Sequence, residues 1–154
     1  LNVHEDLLGT ADAARAAESL GPDTIVMSAK LEMELAELDE TERREFMAGL
    51  GVTELASGRL VKACYRLLRL RSFFTGIGGD MRAWTVREGD TALVAAGKIH
   101  KDIQRGFIRA EVMHYRDIID LGSEKAVRAA GKHRLEGKDY VVQDGDVILF
   151  RFKV

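Results

Sequence analysis

The chain has 154 residues, 46% of them hydrophobic and 31% charged, with a net charge of -2; these values describe a soluble globular protein, either one ordinary domain or a small domain plus part of another. No apolar run reaches the roughly 20 residues a membrane helix needs, and the acidic start lacks the apolar core of a signal peptide. One cysteine, Cys64, excludes a disulfide framework and a cysteine-based zinc site, which suits a cytoplasmic protein.

Charge is uneven along the chain. Residues 1–79 carry 9 Lys and Arg against 13 Asp and Glu, whereas residues 80–154 carry 14 against 12 and three of the four histidines. A weakly basic second half suits an anionic partner such as RNA, and so small an excess equally suits a solvated surface.

The chain opens Leu1-Asn2-Val3-His4-Glu5. A helix is predicted over "TADAARAAESLG", with Thr10 as cap and Gly21 as stop. Pro22 and Asp23 punctuate, and Ile25, Val26 and Met27 predict a short buried parallel strand. "KLEMELAEL" sets Leu31, Leu35 and Leu38 on one helical face, and Asp39 with Glu42 has capping-box spacing before "ETERREFMAGLG". "SGRLVKACYRLLRL" predicts another amphipathic helix, burying Leu60, Cys64, Leu67 and Leu68. Helices around one strand suggest a piece of an α/β sheet.

The second half has another rhythm. "SFFTGI" and "MRAWTV" read as strands joined at "GGD". Gly76, Gly78 and Gly79 lie between two strand patterns, not between strand and helix, so they do not read as a phosphate loop. "REGDT" makes a turn and cap for the helix "TALVAAGKIH". In "GFIRAEVMHY", Phe107, Arg109, Glu111 and Met113 alternate with Ile108, Ala110, Val112 and His114, as in a strand. A short helix follows from Ser123 to Gly131, and "KDYVVQDGDVILFRFKV" reads as two strands around the turn Gln143–Asp146. The order suits an α+β roll in which one helix crosses a mixed sheet in the β-grasp manner. The boundary between the halves falls near residues 72–80.

No nucleophile–base pair, His-Glu-x-x-His or Gly-x-x-x-x-Gly-Lys-Ser/Thr motif occurs. His100 and Asp102 would need further ligands to hold a metal. The acidic run Glu32, Glu34, Glu37, Glu40, Glu42 and Glu45 reads as a solvated helix face. Lys98, Lys101 and Arg105 are spaced to share a helical face and, with His100 and Arg109, form a basic stretch suited to RNA phosphates. Trp84 and Phe107 could stack on bases, but their strand positions favour core packing.

The segments "RAWTV", "AAGKIHKDIQRGFIRAEVMHY" and "GKHRLEGKDYVVQDGDVILFRF" resemble the carboxy-terminal TGS domain of the YchF family of Obg-like P-loop ATPases, over about Phe73–Val154. Asn2-Val3-His4-Glu5 resembles that family's Asn-x-x-Glu form of the G4 motif. "MSAKLEMELAEL" resembles its G5 segment, and "ETERREFMAGLG" with "RLVKACYRLLRLRSFFT" resembles its closing G-domain helices. The resemblance implies an α/β fragment of a P-loop NTPase G domain over residues 1–72, followed by an α+β, β-grasp (ubiquitin-like) TGS domain over 73–154.

By this resemblance Asn2 would bond a base edge, Val3 would pack on the purine face, and Ser28 and Ala29 would line the base through backbone groups. Glu5 would stand where a GTPase aspartate accepts from guanine N1–H and N2–H. A carboxylate one methylene longer weakens that pairing, which agrees with ATP, or GTP, as ligand together with Mg²⁺ in the intact protein. The family's P-loop, switch regions and coiled-coil insertion precede G4, so the resemblance implies a preceding G-domain part as intramolecular partner. Leu1 would then end a buried strand, "TIVMSA" would lack strand partners, and the 154 residues alone would hydrolyse no ATP. The family's ribosome association implies a ribosomal partner, the large subunit by preference, or structured RNA. The alternative is a binding module with no catalytic role of its own, or one that only regulates the nucleotide site.

Overall fold

Helix starts in the first half fall where the sequence supplies capping side chains. The computed structural model describes residues 1–76 and 79–153, in two compact units, Leu1–Leu67 and Leu68–Val154. In the first unit, Thr10 caps helix α1 (Ala11–Leu20), which stops at Gly21. Ser28 caps α2 (Ala29–Glu37), and Asp39 with Glu42 forms a complete capping box on α3 (Glu40–Gly49). Helix α4 (Ala56–Leu67) follows. Leu31 and Leu35 of α2 are buried as their spacing requires.

Three expectations for this unit change. Ile25–Met27 forms no ladder and is only half-buried. It pairs with the chain start through one parallel bridge, Asn2 to Met27. Leu1 is exposed, and its backbone supports the bridge: its amino group donates to the Ile25 carbonyl, and its own carbonyl accepts from the Met27 N–H. Leu60, Cys64, Leu67 and Leu68 are exposed. Helix α4 turns Ala56 and Ala63 inward instead, seven residues apart, and Arg59 donates to the Val26 carbonyl at 2.8 Å. The acidic run is not simply solvated: Glu32 reaches across the unit to the start of α4, and Glu42 completes the α3 capping box.

The second unit is a five-stranded mixed sheet in the order β2-β1-β5-β3-β4. Strands β1 (Leu70–Thr75) and β2 (Arg82–Arg87) pair antiparallel. Ile77, expected to end the first of these strands, and Gly78, expected in the turn, lie outside the described residues, as does Val154. Strand β1 begins at Leu70, ahead of the boundary expected at 72/73. Thr91 caps α5 (Ala92–Ile99), and α6 (Lys101–Arg105) follows at once. Strand β3 (Phe107–His114) leads into α7 (Tyr115–Leu121), capped by His114, which the sequence reading missed. Helix α8 (Glu124–Ala129) starts at its Ser123 cap. Strand β4 is Arg134–Glu136, not "KDYVV", which contributes only an isolated bridge between Thr91 and Val141. Strand β5 (Asp146–Phe152) lies central, parallel to β1 and antiparallel to β3.

Helix α5 covers one face of the sheet. Ala92, Ala95 and Ala96 pack there with Phe73, Val86, Ala110, Val112, Ile148 and Phe150, and Trp84 and Phe107 pack against this core. The alanines let the helix approach closely, and the aromatic and β-branched strand residues fill the volume. The simple alternation in β3 fails at one point. Phe107 pairs with Phe152 but Arg109 pairs with Arg151, so Ile108 is an extra residue, a β-bulge. The bulge sends Phe107 to the α5 face with Ala110 and Val112, while Arg109, Glu111 and Met113 stay on the opposite face.

Candidate functional site

The first candidate cluster forms where the chain start meets the start of α2. The Asn2 Oδ1 accepts the Ala29 N–H at 2.9 Å, and Val3 N–H donates to the Met27 carbonyl at 2.8 Å. These bonds bring together Asn2, Val3, Ser28 and Ala29, which lie far apart in sequence. Ser28 is buried, and its hydroxyl accepts from the Leu31 N–H as the α2 cap. It is therefore occupied structurally, whereas Asn2 keeps its amide N–H donors free of partners among the described residues. An Asn oxygen facing a backbone N–H also fixes the amide orientation.

Glu5 lies on a short 3-10 turn, Glu5–Leu7, begun by His4. Its Oε1 accepts from Lys30 Nζ at 3.3 Å, and Lys30 also meets Glu34 at 3.6 Å. These carboxylates raise the Lys30 ammonium above its usual value, the Glu5 hydrogen bond contributing most. Lys30 thus joins the cluster as an orienting residue for Glu5. Its place in "SAK" was the only sequence signal for it. Glu5 also lines a recess with Leu31, Phe46 and Val52, while Asn2 stands on open surface outside that recess.

Beside this cluster, Glu32 makes a long-range helix cap. Its two carboxylate oxygens accept from the Ala56 and Ser57 N–H groups at 2.8 and 3.2 Å. Burial, the largest single effect, pushes its carboxyl up, but the two backbone donors together with the Ser57 hydroxyl and the Arg59 charge hold the group below its ordinary range.

The expected basic stretch is not one surface. The backbone turns extended at His100, with φ -162° and ψ 142°, so α5 and α6 are separate helices and the spacing from Lys98 to Lys101 and Arg105 no longer defines a shared face. His100 is spent as a cap, its Nδ1 accepting the Asp102 N–H at 3.1 Å. Arg105 pairs with Asp102 at 3.1 Å. Lys98, Lys101 and Arg109 are exposed and make no ion pair among the described residues. No group of three or more metal-ligating side chains occurs among the described residues.

A strongly perturbed carboxylate lies at a position that no sequence pattern marks. Glu111 is buried on β3, opposite the α5 face, and three basic side chains surround it. Arg151 Nε donates to Oε1 at 2.8 Å, Arg128 Nη2 to Oε2 at 3.0 Å, and His133 Nε2 lies 3.2 Å from Oε2. The Arg151 and Arg128 hydrogen bonds hold the Glu111 carboxyl down at about 2 against the opposing effect of burial. A second buried carboxylate, Asp146, accepts from Tyr140 OH at 2.7 Å and from the Gln143 N–H at 2.8 Å, closing the turn before β5. Burial, with this carboxylate beside it, pushes the Tyr140 hydroxyl up to about 12.

Three comparisons bear on these clusters. The family model YchF-GTPase_C, described as "Protein of unknown function (DUF933)", matches residues 70–153. The ribosome-binding ATPase YchF of Haemophilus ducreyi is 49% identical over 138 residues, which is 90% of this chain and 38% of that protein. Obg-like ATPase 1 of Rattus norvegicus is 47% identical over 132 residues, 86% of this chain and 33% of that protein. Among solved structures, the Schizosaccharomyces pombe YchF GTPase superposes with a TM-score of 0.74 at 36% identity, covering 82% of this chain and 33% of its own. The chain thus spans little more than a third of the relatives it matches.

Proposed function

The chain belongs to the YchF family, and from that premise we propose that it is the carboxy-terminal portion of a ribosome-associated ATPase, supplying the base-recognition end of a G domain and a TGS domain. The first unit, with the Asn2 and Ser28 segments, is the G-domain part. The second unit is the β-grasp: five strands ordered β2-β1-β5-β3-β4 with α5 across one face support that reading. The observation that carries the nucleotide assignment is the Asn2–Ala29 bond, which sets a free amide donor beside the Ser28-Ala29 backbone.

In this reading Asn2 offers an N–H to a purine edge, Val3 supports the ring, and Ser28 and Ala29 shape the site through the backbone. Glu5, steadied by Lys30, stands where it accepts poorly from guanine. The ligand is ATP, or GTP, with Mg²⁺, which supplies charge stabilisation at the phosphates when bound. The residues in hand choose a base and hold no phosphate, since the 154 residues include no phosphate-cradling motif. We therefore expect no hydrolysis by this chain alone.

The test uses the longer protein that contains this chain. Nucleotide dissociation constants for wild type, Asn2→Ala and Glu5→Asp would be measured with ATP and GTP. Asn2→Ala should weaken both nucleotides, and Glu5→Asp should shift the ratio toward GTP. Unchanged constants for both variants reject the base-site assignment.

The second unit is read as the ribosome-docking part, on the large subunit or another structured RNA, with Lys98, His100, Lys101, Arg105 and Arg109 as candidate contacts. Its support is that relatives are named as ribosome-binding, and that Lys98, Lys101 and Arg109 are exposed with no ion pair among the described residues. Co-sedimentation with ribosomes tests it, and absence of binding by the wild-type longer protein rejects it.

A further inference from the structure

The ribosome-docking reading leaves open which surface meets RNA. The sheet face opposite α5 has a feature that the basic stretch lacks. Arg109 and Arg151 stand directly across from one another on β3 and β5. Directly opposed side chains sit ~5 Å apart at Cβ, and like charges so placed repel. Arg128 reaches the same place from α8 through its bond to Glu111. Two guanidinium groups thus hold one buried carboxylate, and a third, that of Arg109, stands across the strand pair from Arg151.

Glu111 does not satisfy them all. It takes Nε of Arg151 and Nη2 of Arg128. Both terminal nitrogens of Arg151 remain without a partner among the described residues, and so does the whole Arg109 guanidinium. The Arg151 side chain is 52% exposed and that of Glu111 only 6%. The carboxylate therefore lies beneath the arginines and fixes their heads while their outer edges face solvent. The Arg151 fork, so preset, matches phosphate oxygens with less loss of rotamer freedom on binding, Arg128 being tied beside it to Glu111 and His133 and Arg109 adding a second, free fork.

We propose that Arg109 and Arg151, with Arg128 ordered beside them by Glu111, form a docking face for the phosphodiester backbone of folded RNA at the exposed end of the sheet face opposite α5. The proposal rests on the ribosome-docking reading and names its surface. The neighbouring side chains on this face are Leu135 and Leu149, paired across Glu111. They are aliphatic, whereas Phe107 and Phe150 lie on the other face. The His133 ring in this cluster is held by Glu111 and Arg128 and is only 15% exposed, so the face offers guanidinium groups for phosphates in place of rings for stacking, and recognition is of backbone geometry and independent of base sequence.

The test uses the longer protein with purified ribosomes and with the protein-free ribosomal RNA extracted from them, titrated at several salt concentrations. Arg109→Ala has no partner to orphan, so its fold should be intact. Arg151→Ala leaves Glu111 with Arg128 and His133, and circular dichroism checks it. Each variant should weaken binding to ribosomes and to free RNA by about 10-fold and lower the slope of log affinity against log salt by about 1. Lys138→Ala, an exposed charge away from this face, should behave as wild type. Wild-type affinity in both arginine variants overturns this surface while leaving the docking reading intact. Weakened binding to ribosomes with unchanged binding to free RNA also overturns it, because the contact is then to protein. Failure of the wild type to bind either probe removes the docking reading itself.

Discussion

The Asn2 side-chain oxygen accepts the Ala29 backbone N–H at 2.9 Å, tying the chain start to the first turn of α2. That N–H is one of the four donors a helix start leaves without an intrahelical partner. The bond thus does two things: it completes the α2 start beside the Ser28 cap, and it aims the Asn2 amide outward.

Replacing Asn2 by Ala should free the Ala29 amide. The loss of one such hydrogen bond is about 1 kcal/mol, so Ala29 should exchange its amide hydrogen about fivefold faster. Amides in β5 belong to the other unit and should keep their rates. Hydrogen exchange followed by NMR reads both, and an unchanged Ala29 rate would show that the bond does not hold the α2 start.

Glu32→Ala removes both acceptors at the start of α4 and should cost about 1 kcal/mol, as loss of a helix cap does. Because the folded carboxyl is held below its ordinary 4.5, this contribution is present above that pH and is lost as pH falls through the lowered folded value. Urea unfolding of the first unit, followed by circular dichroism, would show a wild-type advantage at neutral pH that narrows in acid. An equal advantage at all pH values would assign the effect to packing instead of charge.

Local signals were legible in the sequence and long-range ones were not. Thr10, Asp39 and Thr91 cap helices where they were expected, because a cap needs only residues a few positions away; Ser28, placed in the strand "TIVMSA" and beside the base, and Ser123, placed as the first helical residue, are caps as well. The strand assigned to "KDYVV" failed because an apolar pair can enter a core without joining a ladder: Val142 is buried, yet β4 is the three-residue "RLE". The Ile108 bulge left no trace in the alternation that it breaks. Glu111 looked like an ordinary strand carboxylate, since its partners Arg128, His133 and Arg151 are 17, 22 and 40 residues away. The base-site candidates were found by resemblance and not by spacing, and the Asn2–Ala29 contact then joined two of them across 27 residues.

Gly145 tests the turn that carries β5 into the sheet. Its φ is +85°, and a Cβ there would lie 2.5 Å from the Tyr115 ring. The ring has little room to retreat, since it stacks on His114 at 4.9 Å between centroids and packs against Phe74 at 6.4 Å. Gly145→Ala combines a left-handed backbone penalty with this clash and should cost about 1–3 kcal/mol. The expected sign is a clear fall in the melting temperature of the second unit. A Tm equal to wild type would mean that Tyr115 moves freely.

Glu111 gives the sharpest pH prediction. Its carboxyl is held at about 2 when folded, against an ordinary 4.5, chiefly by Arg151 and Arg128. Between those values the unfolded chain binds the proton that the folded chain refuses, so stability rises with pH there. The contribution is fully present above about pH 4.5 and is lost as pH falls toward 2. Glu111→Gln mimics the protonated acid and should lower stability at neutral pH by about 2 kcal/mol, the range of charge-assisted hydrogen bonds. The gap between wild type and variant should have shrunk by about half or more at about pH 3, because most of the difference in proton binding lies above that point. Urea titrations of both chains across this range measure the gap directly. A gap that persists unchanged to about pH 3 would mean that Glu111 acts through its shape and not its charge. The ordering of Arg128 and Arg151 by that carboxylate would then lose its electrostatic basis.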